Sequence, residues 1–295
     1  MSEPTTLTVE DGLARLTLNR PDAYNTLDRE LAKSLMEAAV RCAHGGDVRA
    51  VLLTATGNNF CGGGDLKSFH AQGDGIDGHV REVTYYLHAA CSAFARMDAP
   101  LVIAVQGAAA GAGLSIALLG DLVYAGESAF FTMAYTAAGL SPDGGSTFML
   151  PRVVGLRRAQ ELTLTNRRLT AAEAVDWGIV TAVVPDDSLQ MHAAEVARKL
   201  AHGPSRANAC WSTASTPASR ARWSLKAATS PPPPSSPTAA PASTPSSTSA
   251  SRRSPGGCSG GSSSLPHPGQ AKHDPGPSGI DRKTGSRLCA TRRPG

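Results

Sequence analysis

Three segments of the sequence combine residue types that could carry out acid–base chemistry beside a bound anion. The first, GNNFCGGGDLKSF (residues 57–69), has three consecutive glycines followed by an acid. The second, LVIAVQGAAAGAGLSIALLGD (residues 101–121), has a turn of small residues between an apolar run and a helix start. Glycines let backbone N–H groups point into a cavity, as an oxyanion site requires. The third, SPDGGS, carries Asp143, whose carboxylate could move a proton.

Each segment also has a structural interpretation. The glycine run can be a flexible turn with Asp65 as a helix cap, and Asp143 can be a turn residue or an N-cap before residues 148–150. The second segment could also be a dinucleotide-binding fingerprint, which likewise joins a strand, a glycine-rich turn and a helix. That fingerprint fits poorly, because residues 111–113 have no third glycine in place after them and lie mid-chain.

The elements that must position these segments alternate between strand-like and helix-like patterns, which predicts an α/β fold. Buried or β-rich runs predict strands at residues 5–9, 13–18, 48–54, 101–105, 121–124 and 129–132, the first two forming a hairpin around Asp11-Gly12. Apolar residues at helical spacing predict helices after Asp28 up to Gly45-Gly46, along 87–94, opening at 107–113, and near 157–163, 171–177 and 189–200.

Charge divides the chain into two unequal parts. Residues 1–207 carry 17 Lys and Arg against 22 Asp and Glu, a net charge of −5, whereas residues 208–295 carry 11 against 2, a net charge of +9. The acidic first part argues against specific nucleic-acid binding, which needs clustered basic residues on the folded surface. The second part is rich in Pro, Ser and Arg with few aliphatic residues, so a disordered tail is predicted there.

Nothing in the sequence predicts a metal site, a nicotinamide site or a membrane span. The six cysteines are scattered without a CxxC pair, which favours reduced thiols over zinc ligands or a disulfide framework. The N-terminus lacks a basic stretch followed by an apolar one, and no uncharged apolar run reaches 18 residues. We therefore expect a cytoplasmic protein.

Together the two glycine-rich segments resemble the crotonase (enoyl-CoA hydratase/isomerase) family. GNNFCGGGDL resembles the first oxyanion loop of that family and AVQGAAAGAGLSIAL the second, and LTLNRPDAYNTLD (residues 16–28) resembles its acyl-CoA-contacting start. The likeness continues through GLSPDGGSTFMLPRVVGL and covers nearly all of residues 5–207. It implies a repeated ββα spiral core over 1–207, an acyl-CoA thioester as substrate, no other cofactor, and a homotrimer or hexamer.

The resemblance also implies roles for individual residues. Two backbone N–H groups bind the thioester oxygen and stabilise the enolate that forms there, and by motif position these belong to Gly62 and Ala112. Contacts to the substrate are implied for the following residues: Asp22, Ala23, Tyr24, Gly62, Gly63, Gly64, Asp65, Ala112 and Tyr135.

The sequence departs from the two-glutamate hydratases of the family, whose catalytic positions fall on Ser115 and Tyr135. Instead, Asp143 stands where other branches carry a catalytic aspartate. In an enoyl-CoA isomerase branch with the same PDGG turn, that aspartate moves a proton between carbons of the enolate. In an aryl-CoA dehalogenase branch it attacks the aromatic ring, with a histidine that matches His88 here.

We therefore expect an enoyl-CoA isomerase that uses Asp143, with a β-oxidation hydratase, an aryl-CoA dehalogenase and an inactive acyl-CoA-binding remnant as alternatives. The remnant is considered because residues 208–295 replace the C-terminal helices that cover the acyl-CoA pocket in the family. Read one nucleotide earlier with GC-rich codons, this tail can encode amphipathic helices that resemble those of the family. A frameshift near Asn208 is thus a hypothesis that the coding DNA can test.

Overall fold

A computed structural model describes residues 3–203 of the chain. In chain order its strands are β1 (Thr5–Glu10), β2 (Leu13–Leu18), β3 (Ala50–Ala55), β4 (Leu101–Val105), β5 (Ala108–Ala110), β6 (Leu122–Gly126), β7 (Phe130–Thr132), β8 (Leu169–Thr170) and β9 (Ala182–Val184). Its helices are α1 (Arg29–His44), α2 (Leu66–His70), α3 (Ile76–Phe94), α4 (Ala112–Ala117), α5 (Ser146–Val154), α6 (Leu156–Thr165), α7 (Ala171–Asp176) and α8 (Leu189–His202).

The strands form two sheets. The larger has the order β1-β2-β3-β4-β6-β9, antiparallel only between β1 and β2, and the smaller has the order β5-β7-β8. Along the chain, β3, β4 and β6 each enter the larger sheet and are each followed by a segment of the smaller sheet: the bridge from Cys61 to Ala109, then β5, then β7. A helix follows each time. This confirms the α/β fold with repeated ββα units.

Local signals predicted the first elements well. Asp11 and Gly12 both have positive φ and join β1 to β2, as a tight two-residue hairpin turn requires. The Asp28 carboxylate accepts a hydrogen bond of 2.8 Å from the Leu31 N–H, so it caps α1 as expected. Helix α1 ends at His44, directly before Gly45.

The larger sheet is buried on both faces, so its parallel strands are almost continuously apolar. Along β3, Val51 and Leu53 face the main core with α1 and α3, while Leu52 faces α8 on the other side. This alternation follows from the two-residue period of a strand. The site segments leave one end of this rigid sheet.

Several elements were not predicted from the sequence. Strands β5, β8 and β9 and helix α2 were missed, and β3 begins at Ala50 rather than at residue 48. Helix α5 includes Pro151 and starts at Ser146, where the sequence predicts only a turn or a cap at Asp143. Short strands such as these are defined by their partners more than by their own composition.

No helix within residues 3–203 is long and apolar enough to cross a membrane. The predicted tail (208–295), the boundary at residue 207 and the frameshift hypothesis concern residues outside the described part of the chain and stay predictions.

Candidate active site

A cavity of about 300 Å³ opens between the two glycine-rich loops, helix α3 and the loop before α5. Its floor is made by backbone of Gly62–Gly64 and of Gly111 and Ala112. The apolar side chains of its wall come from α2, α3 and the segments beside them: Leu27, Leu66, Phe69, Val80, Val83, Leu87 and Leu140. Asp143 is the only carboxylate among the lining residues of the described chain.

Hydrogen bonds join the two loops directly. The Cys61 N–H donates to the Ala108 carbonyl at 2.9 Å, and the Ala110 N–H donates back to the Cys61 carbonyl at 3.0 Å. Gly63 has a φ of +97°, and a Cβ there would lie 2.9 Å from the Ala110 carbonyl oxygen, so glycine is required for this close approach. The relative position of the loops is therefore fixed by backbone rather than by side chains.

The hydrogen bonds of the glycine run do not favour Gly62 as the first oxyanion donor, and the N–H without a partner in the described residues lies two residues further along, at Gly64. The Gly62 N–H already donates to the Tyr24 carbonyl at 3.0 Å, so it is not available to a substrate. The N–H of Asp65 donates to the Leu27 carbonyl, and the Leu27 N–H donates to the Gly63 carbonyl. Between these bonds, the Gly64 N–H makes no hydrogen bond within residues 3–203, and Gly64 lines the cavity.

Ala112 begins α4 and lines the cavity, and its role as an oxyanion donor stays a prediction. It is the first residue of α4, so its N–H has no acceptor four residues back inside the helix. It makes no hydrogen bond within the described residues, and it lines the cavity opposite the glycine run. Its nitrogen would lie 3.6 Å from a Cβ placed on Gly63, which shows how close the two loops come.

Asp143 is held by a chain of hydroxyl groups. Its Oδ1 accepts a hydrogen bond of 2.7 Å from the Tyr135 hydroxyl, whose oxygen lies 2.8 Å from the Ser115 Oγ. Helix α5 is capped by Gly145, and only the backbone carbonyl of Asp143 bonds to Ser146. The interpretation of the Asp143 side chain as an N-cap is therefore wrong.

Burial changes the acidity of these groups. It raises the pKa of Asp143 above its ordinary value, although the hydrogen bond from Tyr135 and the charge of His88 act in the opposite direction. Burial and the neighbouring Asp143 raise the pKa of Tyr135 well above its ordinary value, so its hydroxyl stays protonated. Burial, and then the charge of Asp143, also raise the pKa of the nearby Cys91 thiol.

The remaining predicted site residues lie around the cavity rather than in it. His88 is half-buried on α3 and makes no hydrogen bond within residues 3–203; it reaches Asp143 only through its charge. Asp65 does not contact the cavity, because its carboxylate caps α2 through the Ser68 N–H at 3.0 Å and pairs with Arg20 at 2.9 Å. The structural interpretation of Asp65 is thus correct and the substrate-binding one is not supported.

The segment Asp22, Ala23 and Tyr24 lies at the surface beside the glycine run. Asp22 and Tyr24 are exposed, and the Tyr24 carbonyl accepts a hydrogen bond from the Gly62 N–H. Contact with a CoA group stays a prediction for these three residues.

Two features of the site were missed from the sequence. Three glycines in a row carry no signal that distinguishes Gly64 from Gly62. The cavity wall from α3 was also not predicted, although the sequence carries a signal for it: Val80, Val83, Thr84 and Leu87 recur at helical spacing. No group of three metal-ligating side chains occurs in residues 3–203.

Comparison with known proteins agrees with this architecture. Residues 8–225 match the family model described as Enoyl-CoA hydratase/isomerase. The chain is 39% identical over 197 residues to a 1,2-epoxyphenylacetyl-CoA isomerase of Escherichia coli (strain K12), which covers 66% of this chain and 75% of that protein. It is 37% identical over 195 residues to 4-chlorobenzoyl coenzyme A dehalogenase-2 of Arthrobacter sp, which covers 66% and 71%.

Solved structures give the same result. The chain superposes on the crystal structure of an enoyl-CoA hydratase from Mycobacterium avium subsp. paratuberculosis K-10 with a TM-score of 0.68 and 33% identity, covering 77% of this chain and 90% of that one. The fold is thus shared at appreciable sequence identity. The chain therefore belongs to the enoyl-CoA hydratase/isomerase family, within the crotonase superfamily.

Proposed function

We propose that this chain is an enoyl-CoA isomerase in which Asp143 moves a proton between two carbons of the bound thioester. The observation that carries the proposal is the position of Asp143: among residues 3–203 it is the only carboxylate that lines the cavity, and one of its oxygens accepts a hydrogen bond from Tyr135. Asp143 Oδ2 makes no hydrogen bond within residues 3–203, so it is available to a substrate.

The oxyanion site of this proposal consists of the N–H groups of Gly64 and Ala112. Negative charge that develops on the thioester oxygen would be stabilised by these two donors, and loss of one such donor typically costs about 10²–10³ in rate. Both donors are fixed by backbone bonds between the loops, so little rearrangement is needed when the charge appears.

The proton moves in two steps. Ionised Asp143 takes a proton from C2 of a 3-enoyl-CoA, and the electron pair passes into the thioester as a dienolate. The protonated acid then returns its proton to C4, which gives the 2-enoyl-CoA. A carboxyl group with a raised pKa suits both steps, because it is a stronger base than an exposed aspartate and remains a usable acid. The apolar wall fits an apolar acyl chain.

Hydration is the weaker alternative for this site. Alkene hydration by the two-carboxylate route needs acids at the positions of Ser115 and Tyr135, and here those side chains hydrogen-bond to each other. Neither hydroxyl can act as a general base near neutral pH, since the pKa of Tyr135 is raised further by burial.

A direct assay tests the proposal. Purified protein is incubated with 3-enoyl-CoA thioesters of different chain length in deuterated water, and formation of 2-enoyl-CoA and of 3-hydroxyacyl-CoA are both measured. We expect isomerisation without hydration, and a loss of roughly 10²–10⁴ in rate for Asp143→Asn. Asp187→Asn, which neutralises an exposed carboxylate, is the matched control and should be unaffected. Full activity of Asp143→Asn would exclude the assignment.

An aryl-CoA dehalogenase is a second candidate, because the charge of His88 acts on the Asp143 carboxyl group and lowers its pKa. In that reaction the carboxylate displaces chloride from the ring and water hydrolyses the resulting ester. Chloride release from 4-chlorobenzoyl-CoA, lost in both Asp143→Asn and His88→Gln, would favour it over isomerisation. Sedimentation of the full chain with and without an acyl-CoA would test the predicted homotrimer or hexamer, and a monomer that binds no acyl-CoA would indicate a remnant.

A further inference from the structure

The hydroxyl chain behind Asp143 has a direction. Ionised Asp143 can only accept a hydrogen bond, so the single proton of the Tyr135 hydroxyl is donated to it. The 2.8 Å bond between the Tyr135 oxygen and the Ser115 Oγ then needs the single proton of the Ser115 hydroxyl, which can otherwise be donated to the Gly111 carbonyl 3.3 Å away. Hydrogen bonds aligned in this way polarise one another.

We infer that Tyr135, itself held by Ser115, is a positioning residue that fixes one carboxylate oxygen of Asp143 and leaves the other for the proton of the substrate. This inference rests on the proposed function, in which Asp143 is the proton carrier. Tyr135 acts through Asp143 and takes no proton itself.

The three groups are held rigidly. Ser115 and Tyr135 are buried, with exposures of only 1% and 7%, so their hydroxyls have little competition from bulk water. Gly144, next to Asp143, has a φ of +57°, and a Cβ there would lie 2.9 Å from the Ser115 Cβ. The Asp143 loop can therefore approach α4 only because glycine occupies this position. This close packing of the Asp143 loop against α4 thus brings Asp143 next to the hydroxyl groups of Ser115 and Tyr135.

The hydroxyl pair also opposes the desolvation of Asp143. Within residues 3–203 the charged or titratable groups that act on this carboxyl are Tyr135 from the turn after β7, and His88 and Cys91 from α3. The Tyr135 hydroxyl is the one hydrogen-bond donor to the Asp143 side chain in this part of the chain. Removal of this hydrogen bond to the charged carboxylate should therefore raise the pKa of Asp143 further.

A titration of Asp143 in the full-length protein tests this inference without an activity assay. The protein is labelled with ¹³C at aspartate Cγ, and the Asp143 signal is identified as the one missing from Asp143→Asn. We expect Tyr135→Phe to raise the pKa of Asp143 further, and Ser115→Ala to raise it less. Tyr124→Phe removes the hydroxyl of a tyrosine of similar burial on β6 and should leave the pKa unchanged.

Kinetics then distinguish positioning from general structural support. In Tyr135→Phe the acid limb of kcat/KM should move to higher pH by the same amount, and kcat should fall more than KM rises. An unchanged pKa of Asp143 in folded Tyr135→Phe overturns the inference. If Tyr135→Phe does not fold, Ser115→Ala is used instead, and an unchanged pKa of Asp143 in that variant also overturns the inference. A shifted pKa with an Asp143→Asn variant that isomerises normally would instead refute the proposed function.

Discussion

Gly113 lies where the two loops of the oxyanion site touch, and alanine at this position should push them apart. A Cβ on Gly113 would stand 2.9 Å from both the carbonyl carbon and the Cβ of Cys61, and closer still to the Cys61 carbonyl oxygen. Carbon atoms in contact prefer roughly 3.5–4.0 Å, so the loops must separate by at least about 0.6 Å. Cys61 and Gly113 adjoin the segments that carry Gly64 and Ala112, so the two donors should separate as well.

The expected cost is both structural and catalytic. Overpacking of this kind destabilises by about 1–3 kcal/mol, which corresponds to a melting temperature roughly 2–12 °C lower for a domain of this size. A misplacement near 1 Å can cost on the order of 100-fold in rate, so we expect kcat/KM for isomerisation to fall about 10- to 100-fold. Thermal unfolding and the 3-enoyl-CoA assay measure the two effects.

Gly78→Ala is the matched control. Gly78 lies in the first turn of α3 with no atom within 4 Å of its would-be Cβ, so this variant should keep its activity and its melting temperature or gain slightly. A Gly113→Ala protein as stable as wild type would show that the loops do not touch as described. A destabilised but fully active one would refute the pairing of Gly64 with Ala112 as donors.

Three further predictions concern single positions. Ala112→Pro should lower kcat by at least about 10²–10³, because it removes an N–H while proline fits the first position of a helix; Leu156→Pro, at the exposed first residue of α6, is its control. Because burial raises the pKa of Asp143, this carboxyl group stabilises the folded protein below its unfolded pKa, and the stabilisation is lost as pH rises through the folded pKa. Asp143→Asn should therefore unfold at a higher temperature than wild type at neutral pH, and the difference should vanish in acid. Thr170→Ala should lower the melting temperature by roughly 2–4 °C through loss of the capping box with Glu173, while Thr170→Ser retains it.

The elements that could be predicted from the sequence are those whose signals are local. Asp28 and Gly45 delimit α1, and Asp11-Gly12 closes the first hairpin, because caps and turns depend on residues a few positions apart. The buried strand β4 was equally clear from its five consecutive apolar residues. The family motifs also predicted a shared site for Ala112 and Asp143, and both residues line the same cavity.

The parts that could not be predicted depend on partners distant in the chain. Strand β5 consists of three alanines, which favour helix, and it is a strand because Cys61 and β7 pair with it on both sides. Which N–H of the glycine run faces the cavity is decided by pairing with Leu27 and Tyr24, and three identical residues cannot show it. The bond from Tyr135 to Asp143 joins two loops whose conformations are set by tertiary packing.

The bonds between Cys61 and the segment at Ala108 and Ala110 have a consequence for how this protein can change over generations. The groups that would hold the thioester oxygen belong to the main chain, so an exchange of side chains there leaves them in place as long as the loops keep their spacing. The acid and its hydroxyl partners, in contrast, are side chains that a single codon can replace. New reactions can thus arise at Ser115, Tyr135 and Asp143 while the anchoring of the substrate is inherited unchanged.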